Sequence, residues 1–211
     1  MASEFDVIAQ YFTRPAPEGT LGVGDDCALF SVPAGMQIAT SKDLLIQGRH
    51  FYPNVDPEAL GHKALAVNLS DLAAMGAKPL GCLLGLALPN VDESWLAAFA
   101  RGFHALADAH GCPLIGGDTT RSVQDLTISV TVFGAVAAQP ALRRDGARVG
   151  DHIWVSGALG AADIAYRLLD AQLPTDDSLL AATRRALKLL PSLRTSTSYT
   201  IGFALSPGRK K

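Results

Sequence analysis

The stretch DPEALGHKALAVNLSDLAAMGAKPLGCLLGLAL, residues 56–88, carries the reading of the fold. Asp56 is an N-cap residue, Pro57 has its φ preset for a first helical position, and Glu58 places a negative charge beside the positive end of the helix dipole. The spacing predicts a helix as far as Met75, where Gly76 stops it. Leu80 to Leu88 follows at once as an apolar run of strand length, a buried strand. Towards the C-terminus, Asp92-Glu93-Ser94 opens a second long amphipathic helix that ends at Gly111. Pro113 to Ile115, Leu126 to Val136 and His152 to Val155 read as further strands, followed by a helix over Ala161 to Asp170. Towards the N-terminus, Met36 to Ile46 and Cys27 to Val32 read as two strands joined by a Pro33-Ala34-Gly35 turn. A short helix is expected over 4–13, after Ser3 and Asp6 and before Pro15, Pro17 and Gly19. Several strands are thus adjacent in sequence. That order suits an α+β fold, a mixed or antiparallel sheet covered by helices on one face, better than a strict βαβ repeat.

With 211 residues, 48% hydrophobic and 18% charged, the chain has enough material for a sizeable core. Eighteen basic against 20 acidic residues leave a net charge of −2, so the electrostatic footprint of a general nucleic-acid binder is missing. Cys27, Cys82 and Cys112 have no CxxC spacing, which argues against a disulfide framework and a structural zinc site. The start MASEFDVIAQYF lacks a basic leader, and no apolar run reaches the roughly 18 residues of a membrane span. A reduced, cytoplasmic setting without membrane or nucleic-acid partners is the expectation. Charge is uneven along the chain: residues 178–211 hold seven basic residues and no acid. Within that part, SLRTSTSYTIGFALSPGRKK (192–211) has no helical or strand period and reads as a poorly ordered tail, or as a basic surface extension.

The chemistry is concentrated in carboxylates. Asp25 and Asp26 follow Gly22-Val23-Gly24, and two like charges side by side call for a cation or for hydrogen-bond donors. Asp43 lies in the apolar run IATSKDLLI, where alternation puts it on the same sheet face as Ser41. Asp71 sits in an almost wholly apolar helix with Asn68 one turn away on the same face. Asp118 ends PLIGG, whose two glycines allow close backbone approach to a ligand. An unpaired buried carboxylate is costly, and convergence of these acids on a hard cation such as Mg2+ removes that cost. Each acid also has a plain structural reading: GxGDD and GGD suit ordinary turns, Asp71 suits a backbone hydrogen bond, and His50 alone suits a structural histidine. The GVG of residues 22–24 fails as a dinucleotide fingerprint and no P-loop occurs.

Taken in order, GVGDDCALF (22–30), TSKDLLIQGRHF (40–51), HKALAVNLSDLAAMGAKP (62–79), LIGGDTTR (114–121) and ALRRDGARVGDHIWVSG (141–157) closely resemble the thiamine-monophosphate kinase family. That family shares a superfamily of ATP-using enzymes with aminoimidazole ribonucleotide synthetase and selenophosphate synthetase. The resemblance spans roughly residues 3–185. It implies that Asp26, Asp43, Asp71 and Asp118 are magnesium ligands, with Asp25 and Ser41 in the same shell. It also implies that Gly117, Asp118 and Arg144 contact ATP and that His50 contacts thiamine phosphate. Lys42 stands where the family has a small hydroxyl residue, beside the same metal and ATP site. Selenophosphate synthetase is the weaker match, because no reactive Cys lies near the N-terminus and Cys27 falls in an expected strand.

The implied reaction is Mg2+-assisted in-line transfer of the ATP γ-phosphoryl group to thiamine phosphate, giving thiamine diphosphate and ADP. The monophosphate acceptor has a second pKa near 6, so its attacking oxygen is already anionic at neutral pH. No acid–base residue is therefore assigned. The resemblance also implies a homodimer formed through the N-terminal sheet as a barrel, with Leu126 to Val136 as a pairing strand. Three parts are expected: residues 1–139 as the ATP- and Mg2+-binding and dimerisation domain, 140–191 as the incomplete start of a second α/β domain, and 192–211 as a divergent tail. The family's acidic DxSDGL-type motif has no counterpart here. The alternative to a kinase is thus a catalytically incompetent remnant that dimerises or binds nucleotide weakly.

Overall fold

The computed structural model describes residues 3–137, 142–153, 160–169, 172–174, 177–179, 181 and 205–206. Helix α1 (Glu4–Val7) is capped by Ser3 and Asp6 in a reciprocal capping box and runs on into a π-helical turn, Ile8–Phe12. The elements that follow are β1 (Met36–Ile46), α2 (Pro57–Ala74), β2 (Lys78–Leu88), α3 (Glu93–His110), β3 (Leu114–Arg121) and β4 (Thr127–Ala137). β5 (His152–Ile153), α4 (Ala161–Leu169) and β6 (Leu205–Ser206) complete the described elements, with β5 and β6 paired antiparallel. The rest of the expected tail over 192–211, and Val155 of the expected strand, lie outside the described residues.

The two long helices begin and end where the sequence marks them. Asp56 accepts from the Glu58 N–H ahead of α2, and Asp92 accepts from Ser94 and Trp95 ahead of α3. Gly111 ends α3 in the left-handed conformation, φ +59°, which a residue with Cβ adopts only at a cost. β1, β4, β2 and β3 form one mixed sheet in that order, with β2 and β3 parallel and the other pairs antiparallel. A single βαβ unit, β2–α3–β3, is therefore built into an otherwise antiparallel sheet. Side chains alternate between faces, and Leu45, Leu84, Leu86, Ile128, Val130 and Val132 point into the core shared with Leu60, Leu65, Leu72, Phe99 and Phe103. α2 and α3 approach closely enough that a Cβ on Gly61 would meet the Phe99 carbonyl and one on Gly102 the Glu58 carbonyl. Gly102→Ala is expected to destabilise the chain by about 2 kcal/mol or more through overpacking, read as a lower thermal or denaturant midpoint. Exposed Ala105→Gly, one turn further along α3, should lose only the roughly 1 kcal/mol of a helix glycine.

Three expectations need correction. Cys27 to Val32 is not a strand: it makes one antiparallel bridge, Leu21 with Leu29; Leu29 is 62% exposed and Cys27 is exposed as well. The apolar run has the composition of a strand, but among the described residues no neighbouring backbone offers it a ladder. The turn after it is present, with Gly35 at φ +76° and Met36 N–H bonded to the Pro33 carbonyl. β3 continues well beyond Ile115 to Arg121, because Gly116 and Gly117 are where it packs against β2 rather than where it stops. β4, the expected pairing strand, is hydrogen-bonded on both sides, so the free edges of the sheet belong to β1 and β3.

The N-terminal segment is tied to α3 by buried His104, whose Nε2 meets the Tyr11 carbonyl at 3.1 Å, and by an Arg14–Asp108 ion pair at 2.8 Å. Burial, with Arg14 adding to it, holds the His104 imidazole below its ordinary pKa. The unfolded chain therefore binds this proton first as pH falls below about 6.5, and stability drops across that window. Thermal midpoints followed from pH 7.5 to 5 should fall more steeply for the native chain than for His104→Gln.

Candidate functional site

At the β3 edge the chain forms a cleft of about 400 Å³, a volume within the usual range for a small-molecule site. Gly116, Gly117, Asp118 and Thr119 form its floor with Leu84, the loop Val23–Asp26 forms one wall, and Glu4, Phe5, Ile8 and Phe12 form the other. Gly24, at φ +122°, turns the chain so that Asp25 and Asp26 stand together, and Asp25 Oδ1 accepts from the Asp26 N–H at 2.8 Å. A Cβ on Gly117 would collide with the Leu84 carbonyl, so only glycine brings the β3 backbone this close to β2 at the cleft floor. Among the described residues, four carboxylates, Glu4, Asp25, Asp26 and Asp118, line the cleft and no basic side chain does. Among the described residues none of the four pairs with a basic group.

A second acidic group lies on β1 and α2. Ser41 Oγ donates to Asp71 Oδ2 at 2.5 Å, and the Asp43 N–H donates to Asn68 Oδ1 at 3.0 Å. The buried Asn68 is itself held by the Ala64 carbonyl at 3.0 Å. Ser41 and Asp43 thus share the helix-covered face, as alternation requires, and Lys42 points to the other face. Burial and then the neighbouring Asp71 push the Asp43 carboxyl above its ordinary pKa. Because the native chain keeps this charge at a cost, Asp43→Asn should raise the thermal midpoint slightly, by on the order of 0.5 kcal/mol given its partial exposure. An unchanged or lower midpoint would contradict that account of its environment.

The structure does not gather the expected acids into one cleft. Asp43, Val130, Leu84 and Gly117 form one row across the four strands. Three inter-strand spacings of about 4.8 Å, roughly 14 Å, therefore separate the two ends of that row. Asp118, next along β3, points to the opposite face from Asp43. Among the described residues no three His, Cys, Asp or Glu side chains stand close enough to hold a metal ion together. Arg144 lies on an exposed turn after β4, outside the cleft, beside an Arg143–Asp145 ion pair. His50 closes the turn after β1: its Nδ1 accepts from the Ile46 N–H at 3.0 Å. Burial, then the Lys63 and Arg49 charges, keep its ring below the ordinary imidazole pKa against the opposing pull of Asp43. An accepting Nδ1 leaves the ring proton on Nε2, so the neutral ring is a donor.

The family model described as AIR synthase related protein, N-terminal domain, matches residues 24–136. The chain belongs to the AIR synthase-related family. Among curated relatives of this family, the thiamine-monophosphate kinase of Salmonella typhimurium is 45% identical over 177 residues, 82% of this chain and 54% of that protein. The kinase of the same name from Bacillus subtilis is 36% identical over 170 residues, 79% of this chain and 52% of that protein. The chain spans about half the length of these relatives. The crystal structure of thiamine-monophosphate kinase from Stenotrophomonas maltophilia superposes with a TM-score of 0.71 at 45% identity, covering 84% of this chain and 59% of that one. AaThiL, complexed with AMPPCP and TMP, superposes with a TM-score of 0.65 at 32% identity over 78% of this chain and 52% of that one.

Within this AIR synthase-related domain, sequence reasoning found the acids but missed Glu4, Phe5 and Lys63. Glu4 and Phe5 look like ordinary first-turn residues of a short helix. Lys63 carried a signal: it lies three residues after Leu60 and directly before Ala64, on the stripe that α2 buries.

Proposed function

We propose that the chain acts in the ATP-dependent phosphorylation of thiamine phosphate to thiamine diphosphate, as a cytoplasmic homodimer paired through its sheet. One observation carries the reading: an acidic cleft with no basic side chain among its described lining residues, floored by glycine-opened backbone at Gly117-Asp118, in a chain 45% identical over 177 residues to a thiamine-monophosphate kinase. The donor set fits Mg2+, a hard cation that takes one or two carboxylates together with substrate phosphates and needs no closed protein cage. One or two of Asp25, Asp26 and Asp118 would hold it from β3 and its neighbouring loop, and Ser41, Asp43 and Asp71 form the second such group on β1 and α2. When bound, Mg2+ supplies the positive charge that brings two polyphosphate anions together.

The remaining steps belong to the chain's own groups. Gly117 leaves backbone open at the cleft floor for nucleotide phosphates, while Phe5, Ile8 and Phe12 give the opposite wall an apolar lining. His50 donates Nε2–H to the acceptor phosphate and thereby orients it; Arg144 and Lys42, which stand outside the cleft of a single chain, are the cations that the resemblance assigns to ATP. The acceptor oxygen is already anionic near neutral pH, so alignment matters more than proton removal. The two acidic groups stand at opposite edges of one sheet, and those are its free edges. A second copy pairing edge to edge brings the β1 edge of one chain, with Ser41, Asp43 and Asp71, to the β3 edge of the other, with Asp25, Asp26 and Asp118, and that common seam supports a site shared between copies.

The test is to supply ATP, Mg2+ and thiamine phosphate and to measure both ligand binding and product. Binding of Mg–ATP and thiamine phosphate, with ADP and thiamine diphosphate formed in equal amounts, is expected. Absence of binding for both ligands would overturn the reading.

A further inference from the structure

Lys63 is a charged residue on the buried stripe of α2, only 7% exposed between Leu60, Ala64 and Leu65. Lysines seldom stand so deep unless a partner holds them. Its Nζ donates to the His50 carbonyl at 2.8 Å, reaching back from the helix to the turn that leaves β1. That turn is otherwise closed on itself. The Ile46 carbonyl accepts from the N–H groups of Arg49 at 3.1 Å and His50 at 2.8 Å, and the Gly48 N–H bonds to the Phe51 carbonyl at 2.8 Å. The Ile46 N–H goes to the His50 ring at 3.0 Å, and Phe51, 1% exposed, anchors the far side in the core. The His50 N–H and ring are therefore fixed by Ile46, and its carbonyl by Lys63.

We propose that Lys63 is a positioning residue for the acceptor phosphate: Nζ clamps the His50 carbonyl, sets the rotation of that peptide, and so aims the His50 Nε2–H outward. The proposal rests on the reading of His50 as the contact to thiamine phosphate. Nζ ends on the carbonyl next to that ring, so the ammonium that α2 buries also fixes the peptide from which the ring projects. Burial brings the Lys63 pKa down to about 7. The amine donates N–H in either charge state, so the clamp holds across neutrality.

The experiment uses the full chain, with native, Lys63→Met and His50→Gln forms, reading the His50 ring by nitrogen-15 NMR and thiamine phosphate affinity by calorimetry. Methionine keeps the stem volume and removes the donor, so the thermal midpoint should stay level or rise. The native ring should show one tautomer with its proton on Nε2. In Lys63→Met the ring signals should move to a mixture of tautomers, and thiamine phosphate affinity should fall roughly tenfold while Mg–ATP affinity holds. Unchanged ring signals in Lys63→Met would overturn the proposal. Changed ring signals with thiamine phosphate affinity untouched in both variants would leave the clamp standing and remove His50 from the substrate site. If Lys63→Met fails to fold, Lys63→Leu makes the same donor-free comparison, and collapse of both would overturn the proposal in favour of a scaffold role.

Discussion

Replacing Asp118 with Asn is expected to weaken Mg–ATP binding on the order of a hundredfold, about 2.7 kcal/mol, with no loss of thermal stability. The side chain is exposed on the β3 edge, has no ion-pair partner among the described residues, and follows the glycine that opens the cleft floor. Its removal thus deletes a negative charge aimed into the cleft without leaving a buried group unsatisfied. Asparagine keeps the size and one oxygen, so the loss measures charge rather than shape. Asp108→Asn is the control: Asp108 is also exposed and also acidic, but it pairs with Arg14 on the far side of α3. Calorimetric titration of both variants with Mg–ATP decides the matter. Equal affinity in the native chain and Asp118→Asn would show that nucleotide binds elsewhere or that the cleft does not use a cation.

Much of this was legible in the sequence because local rules and tertiary structure agree. Asp56-Pro57-Glu58 and Asp92 with Gly111 bound the two helices as capping chemistry requires, and alternation along β1 puts Ser41 with Asp43 and sends Lys42 the other way. What was not legible depends on non-local pairing. Gly116 and Gly117 read as an end of a strand because glycine lacks β-propensity, yet in the sheet Gly117 permits close approach to the Leu84 carbonyl and Gly116 to the Leu83 side chain. Cys27 to Val32 reads as a strand because composition reports burial tendency and not whether a partner edge exists. The same limit applies to the site. Sequence marks each carboxylate by its unusual surroundings, but only strand order shows that β1 and β3 are the two edges, and hence that Asp43 and Asp118 stand apart. Lys63 shows the converse: its helix position predicts burial, while its partner, the His50 carbonyl 13 residues away in sequence, is a product of the tertiary fold.

Strand order gives the most demanding prediction. If each site takes Asp71 from one copy and Asp118 from the other, chains carrying Asp71→Asn and chains carrying Asp118→Asn should each bind almost no Mg–ATP alone, yet recover binding when mixed after reversible dissociation. A mixed dimer holds one site with both native residues and one with neither. Half the dimers in an equal mixture are mixed, so about a quarter of native sites should return under two-fold symmetry. The recovered sites should have native affinity, because nothing in them is altered; only their number falls. A site contained within one chain gives a different result. Every chain then carries a defect in its own site, and mixing restores nothing. Combining both substitutions in a single chain and mixing it with native chain separates the cases further. A shared site then leaves every site of the mixed dimers with one defect, so equal mixing retains about a quarter of native sites at full affinity, against about half if each chain keeps its own.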